Sequence, residues 1–131
     1  MRETKIDQNG VQIQARVDGV DHRLAPTVVF ANSLGTTLNL WQKIIPLLPE
    51  GLRLIRYDLR GHGQSPKPPG PYRIAQFAAD VALLMMRLDA RPAHIVALSL
   101  GGAVAQHLAL DYPELVRSLV LVNTASNFVS A

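Results

Sequence analysis

The chain contains no cysteine, which rules out a disulfide framework, a thiolate metal site and thiol redox chemistry. No stretch reaches the roughly 18 consecutive apolar residues of a membrane-spanning helix, and the opening Met1 to Gln8 holds no apolar signal core. Together these absences predict a cytoplasmic protein with no membrane partner. The 13 basic residues exceed the 10 acidic ones only slightly and are scattered along the chain. A nucleic-acid partner needs a clustered basic face, so none is expected. No two histidines stand four residues apart beside an acid, which gives a metal site no support. There is no complete Gly-x-Gly-x-x-Gly fingerprint and no Walker lysine, so no nucleotide cofactor is expected either.

What remains is a chain of 131 residues, 48% hydrophobic and 18% charged, as a single core-forming domain requires. Thr4 to Ile6 and Val11 to Val17 read as two strands around Asn9-Gly10, a strong hairpin signal. In the second strand Val11, Ile13, Ala15 and Val17 alternate with Gln12, Gln14 and Arg16, as in an edge strand with one wet face. Thr27 to Ala31 is continuously apolar, the signature of a central parallel strand. Leu38 to Leu48 reads as a short helix, closed by Pro49 and Gly51. Leu52 to Tyr57 is a further strand, followed by a glycine- and proline-rich loop from Asp58 to Tyr72. Ile74 to Leu88 is an amphipathic helix with Ile74, Phe77, Val81, Leu84 and Leu88 on one stripe and Asp80 and Arg87 off it. Ala93 to Leu98 reads as a strand, Leu100 to Leu110 as a helix and Val116 to Val122 as a last strand, after which Asn123 to Ala131 trails off. Strands alternating with helices predict a mostly parallel sheet covered on both faces, with an antiparallel edge from the first hairpin.

The chemistry concentrates where the strand Ala93 to Leu98 runs straight into Ser99 and a helix follows at once. Ala97 and Gly101, the second neighbours of the serine, are both small. This is the layout of a nucleophile elbow, in which a sharp strand-to-helix turn holds an exposed serine hydroxyl and large second neighbours have no room. Its usual pattern is Gly-x-Ser-x-Gly; Ala97 replaces the first glycine. Ser99 is the candidate nucleophile. The oxyanion of such an attack is held by two backbone N–H groups, one from the residue after the nucleophile and one from the loop after the third strand. That logic selects the amides of Leu100 and of Leu34, the latter within Asn32-Ser33-Leu34-Gly35-Thr36-Thr37. Ser33 reads as a turn residue.

A serine nucleophile also needs a histidine base and an acid to orient it, and in this architecture both follow it in the chain. After Ser99 come only Asp111, Glu114 and His107, on or just beyond the helix that leads away from it. Asp111 is about 18 Å along that helix at about 1.5 Å per residue. His62, in Asp58-Leu59-Arg60-Gly61-His62-Gly63-Gln64-Ser65, precedes the serine and suits a constrained turn better than a base. His22, His94 and His107 read as structural or surface residues. Enzymes of this architecture run to roughly 200–250 residues or more. The expectation is therefore an N-terminal portion that carries the nucleophile without its partners.

Taken together, Asn32 to Thr37, Asp58 to Ser65 and Ala97-Leu98-Ser99-Leu100-Gly101-Gly102 resemble the α/β-hydrolase superfamily and, more narrowly, the 3-oxoadipate enol-lactonases. The Asn-Ser-Leu-Gly-Thr-Thr loop carries most of the narrower likeness; the Asp-x-Arg-Gly-x-Gly-x-Ser loop is shared widely. The resemblance extends over essentially the whole chain but only the first half of a family member. It implies an α/β-hydrolase core over residues 1–131, truncated after the sixth strand, with the helical cap and C-terminal strands absent. It also implies a cofactor-free serine hydrolase opening an enol-lactone ring in aromatic catabolism, with Ser99 as nucleophile and the Leu34 and Leu100 amides as oxyanion donors. A serine at position 99 excludes the haloalkane-dehalogenase variant, which has aspartate there. A general carboxylesterase, a cofactor-free haloperoxidase-like relative and a non-catalytic fragment acting by association are the alternatives. A strand Val116 to Val122 left with an open edge predicts a companion C-terminal chain or self-association.

Overall fold

Six strands form one sheet in the computed structural model of the chain, which describes residues 1–8, 10–90 and 92–126. They are β1 (Arg2–Gln8), β2 (Val11–Gly19), β3 (Thr27–Ala31), β4 (Arg53–Tyr57), β5 (Ala93–Leu98) and β6 (Val116–Val122), in the spatial order β1-β2-β4-β3-β5-β6. β1, β2 and β4 pair antiparallel; β4, β3, β5 and β6 pair parallel. Central β3 is apolar from Val28 to Ala31, because a strand buried on both faces has no wet side to mark, while its neighbour β4 buries Arg53 and Arg56 as well. In the first hairpin Gln8 faces Val11 and Gly10 takes φ +85, a conformation open to glycine. Asn9, half of that turn signal, lies outside the described residues, as do residues 127–131 of the expected tail.

β2 is not the edge. It lies between β1 and β4, and the antiparallel edge is β1. The polar side of β2 is correspondingly less wet than its alternation suggests: Gln14 is buried and Arg16 half-buried. The loop after β4 closes over it, with the Gln14 amide donating to Ser65 Oγ (2.9 Å) and the Asp58 amide to the Gln14 carbonyl (2.9 Å).

Two α-helices cover one face of the sheet, α1 (Ile74–Arg87) and α2 (Leu100–Asp111). Phe77, Val81, Leu84 and Met85 of α1 meet Val104 and Leu108 of α2 above Val29, Ile55 and Ile95. The start of α1 is closed by Gln76, whose side chain accepts from the Arg73 amide at 2.8 Å. Asp80 sits off the apolar stripe but is not on the wet side. It is buried because the Arg60 guanidinium grips both its oxygens at 2.8 Å. The other face packs Phe30 and Leu54 against Trp41. The expected helix Leu38 to Leu48 is instead two 3-10 turns, Leu38–Trp41 and Ile45–Leu47. Pro46 explains the break: it donates no N–H, and its ring collides with the carbonyl four residues back in an α-helix.

Candidate functional site

β3, β4 and β5 all end at the same edge of the sheet, and the loops that follow them converge there. The ends of β3 and β4 are marked by buried polar residues, Asn32 and Asp58. Asn32 Nδ2 donates to the Tyr57 carbonyl (2.8 Å), while its Oδ1 accepts from Trp41 Nε1 (2.6 Å). Asp58 accepts from the Leu38 amide (2.7 Å) through one carboxylate oxygen and from the Gln64 amide (2.8 Å) through the other. Two of these bonds, Asn32–Tyr57 and Leu38–Asp58, join the segment after β3 to the end of β4 and its loop; the other two brace each segment from within. Ser65 Oγ adds a fifth, donating to the Asp58 carbonyl at 2.7 Å. Asp58 to Ser65 is thus a constrained turn held by local hydrogen bonds, as its composition suggests.

Ser99 sits between β5 and α2 with φ 53° and ψ −118°. A serine in such a conformation carries backbone strain of about 1–3 kcal/mol, which only an over-determined surrounding sustains. The surrounding is visible. The Ser99 amide donates to the Val122 carbonyl of β6 (3.0 Å), Thr124 Oγ1 donates to the Ser99 carbonyl, and the Gly102 amide closes onto the same carbonyl at 2.9 Å. A Cβ on Gly101 would strike the Ala31 and Asn32 backbone; one on Gly102 would strike the Thr124 side chain. The requirement for small residues after the serine is therefore a matter of contact with β3 and with the segment after β6.

Ser99 opens onto a cavity of ≈ 420 Å³ lined by Leu34, His62, Tyr72, Ile74, Phe77 and Leu100. Leu34 and Leu100 thus share the cavity with the serine, as the sequence reading requires. Among the described residues no group accepts a hydrogen bond from either amide, and none bonds to the Ser99 hydroxyl. The Leu34 side chain is 69% exposed, so what the position offers the cavity is backbone as much as side chain. Ser33 is a turn residue: Thr36 donates to its carbonyl from the hydroxyl (2.7 Å) and from the amide (3.4 Å). The far wall is aromatic. Tyr72 and Phe77 stack edge to face with ring centroids 5.9 Å apart, and the Tyr72 hydroxyl is tied to the Pro68 carbonyl.

None of the four histidines bonds to the serine. His22 Nδ1 accepts from the Leu24 amide (3.1 Å), His94 Nδ1 lies 2.6 Å from Ser118 Oγ, and His107 Nε2 lies 3.4 Å from Asp111 on the exposed side of α2. His62 shares the cavity with Ser99, yet both its ring nitrogens are engaged. Nε2 accepts from the Gly35 amide (2.9 Å) and Nδ1 faces the Arg60 carbonyl (3.1 Å). The sequence reading did not single out Asn32 or Asp58, the residues that hold the site together. A usable signal existed for both: a short polar side chain directly after a strand and before a glycine-containing loop.

The family model described as the alpha/beta hydrolase fold matches residues 26–130. Over 106 residues the chain is 41% identical to 3-oxoadipate enol-lactonase 2 of Acinetobacter baylyi, covering 81% of this chain and 40% of that protein. The crystal structure of a hydrolase from Pseudomonas aeruginosa superposes with a TM-score of 0.90 at 41% identity, covering 97% of this chain and 48% of that one. The enol-lactonase of Burkholderia xenovorans superposes with a TM-score of 0.87 at 38% identity, covering 96% and 48%. The chain spans less than half the length of each of these relatives. With the family match, the topology and the strand–serine–helix turn in agreement, the chain belongs to the alpha/beta hydrolase fold family.

Proposed function

We propose that this chain carries the nucleophile half of a serine hydrolase that opens 3-oxoadipate enol-lactone to 3-oxoadipate. The observation that carries the reading is Ser99 at φ 53°, facing an apolar cavity beside two amides that have no acceptor among the described residues. Likeness to proteins called enol-lactonases supports the choice of substrate.

In the proposed reaction Ser99 Oγ attacks the lactone carbonyl carbon, and its proton passes to a histidine. The Leu34 and Leu100 amides hold the negative oxygen of the tetrahedral adduct, an arrangement that lowers the barrier most where water is excluded. The ring C–O bond breaks, the enol oxygen takes the proton, and the enol becomes the ketone. Water then cleaves the acyl-serine, giving the carboxylic acid and restoring the hydroxyl. The histidine and its acid come from a companion segment, because His22, His62, His94 and His107 are each engaged elsewhere. β6 is the place for that segment to dock, or for a second copy. Its outer edge has no partner among the described residues, and Val120, Leu121 and Val122 are 49%, 41% and 42% exposed.

The test is enol-lactone hydrolysis and fluorophosphonate labelling of the active preparation. Ser99→Ala is expected to abolish labelling and lower kcat by about 10⁴-fold or more. Labelling that survives in Ser99→Ala, or a lactone left intact while p-nitrophenyl esters turn over, would remove the nucleophile or the substrate assignment respectively.

A further inference from the structure

We propose that His62 is a positioning residue that sets the oxyanion loop, acting through Gly35 and only as the neutral imidazole. The inference rests on the reading of the Leu34 amide as an oxyanion donor. A backbone N–H only donates, so the nitrogen 2.9 Å from the Gly35 amide, Nε2, is the unprotonated one. The proton is then on Nδ1, which donates to the Arg60 carbonyl at 3.1 Å. One ring thus spans the loop after β3 and the loop after β4. Among the described residues, His62 is the only side chain outside residues 32–37 that bonds to the backbone of residues 33–36. Gly35 is the residue directly after Leu34, takes φ +77 and has nothing within 4 Å of where its Cβ would stand.

Protonating the ring places a second proton on Nε2, opposite the Gly35 N–H. Two donors then face each other, the bond is lost, and the Leu34–Gly35 peptide is released, together with the adjoining Ser33–Leu34 peptide that carries the Leu34 N–H. The surrounding charges are already committed. Both Asp58 oxygens accept amides, Arg60 is paired with Asp80 of α1, Lys67 Nζ donates to the Gly63 carbonyl and the Tyr72 phenol to Pro68. Arg73 precedes α1; residues 32–37 and the first turn of α2 carry no ionisable side chain. The charge that moves this loop is therefore the one His62 itself acquires.

Ring ¹⁵N and amide NMR of the chain across pH reads this directly. At neutral pH, Nδ1 is expected to be protonated and Nε2 to resonate as an acceptor. On acidification the Gly35 amide proton should move upfield, with Leu34 following, at the midpoint of the His62 ring. In His62→Gln, whose Oε1 accepts without titrating, the Gly35 shift should stay flat over the same range. A proton on Nε2 at neutral pH, or Gly35 and Leu34 amides indifferent to His62, overturns the proposal. In an active preparation His62→Ala should lower kcat about 10- to 100-fold with KM within about twofold, the scale of a displaced oxyanion donor. His62→Gln should retain the greater part of kcat, and equal kcat for His62→Ala and the unaltered enzyme overturns the proposal. If no preparation turns over or labels at Ser99, the serine reading fails, while the NMR result still decides the His62–Gly35 contact.

Discussion

Gly101 and Gly102 follow the serine for different physical reasons, and substitution separates them. The Cβ of Gly101→Ala would enter the carbonyl end of β3, which is backbone and cannot swing aside. A loss of about 3 kcal/mol in urea unfolding is expected, close to the upper end for overpacking. Gly102→Ala first meets the Thr124 side chain, its Cβ included, so it should cost about 1–2 kcal/mol alone and less in a Thr124→Gly background, which removes that Cβ. Asn32 is the other residue on which the site depends. Asn32→Ala strands the Trp41 N–H and the Tyr57 carbonyl in the interior and should cost about 2–3 kcal/mol. Tyr57 runs the opposite way. Its hydroxyl is buried without a hydrogen-bond partner, and burial, reinforced by the charge of Asp80, pushes the phenol well above the ordinary tyrosine range. The folded state therefore favours the neutral phenol. Its contribution is complete below the unfolded-state pKa and is lost as pH rises beyond it, when the unfolded chain ionises first. Tyr57→Phe should leave neutral-pH stability unchanged or raised by up to about 1 kcal/mol, and should flatten the alkaline decline in a pH series of unfolding curves. The tight turn at Ser99 was legible because so sharp a strand-to-helix turn restricts what can stand beside the serine, and Leu34 and Leu100 share its cavity. His62 was legible only as a turn residue, since its bond to Gly35 joins loops that no local pattern relates.

Three strands read directly from the sequence: β3, β5 and β6 begin and end where their residues predict. Two readings needed the neighbours. The alternation of β2 is that of a one-sided strand, but an alternating strand looks the same at an edge and one place inside it; β1 and the Asp58 to Ser65 loop decide which. Leu38 to Leu48 has helical spacing, and Pro46 forbids its completion. A Pro46→Ala variant removes the steric bar, yet Asp58 still caps the Leu38 amide, so the first 3-10 turn should persist. Circular dichroism should then show a gain of no more than about one helical turn. Asp21 links three elements, reaching Arg2 of β1 and Arg53 of β4. Its hydrogen bond with Arg2 holds the carboxyl below the usual carboxylate range. The associated stability is present above the unfolded-state pKa and fades as pH falls through the lower folded one. For so exposed a group the loss is under about 1 kcal/mol, read as a smaller acid-side slope in Asp21→Asn.

At the scale of the whole molecule, the sheet has antiparallel β1 at one edge and parallel β6 at the other, and among the described residues neither outer edge is paired. The six strands and the strained Ser99 turn lie in a chain that spans less than half the length of the relatives it matches. Exposed Val120, Leu121 and Val122 on the open strand predict concentration-dependent association, visible by native mass spectrometry and size-exclusion chromatography. Leu121→Lys is expected to shift the population toward monomer; a chain that stays monomeric at every concentration tested removes self-association from consideration. The same strand sets the lifetime of the site. The Ser99 amide is bonded to Val122, so its proton is shielded by the outermost strand rather than by the core. Its exchange with deuterated solvent should be limited by local opening of β6, while the amides of β3 and β5 wait for rarer, deeper openings. The Ser99 geometry then persists only as long as β6 stays zipped, and a partner that lengthens the protection of Val122 would lengthen that of Ser99 by the same factor.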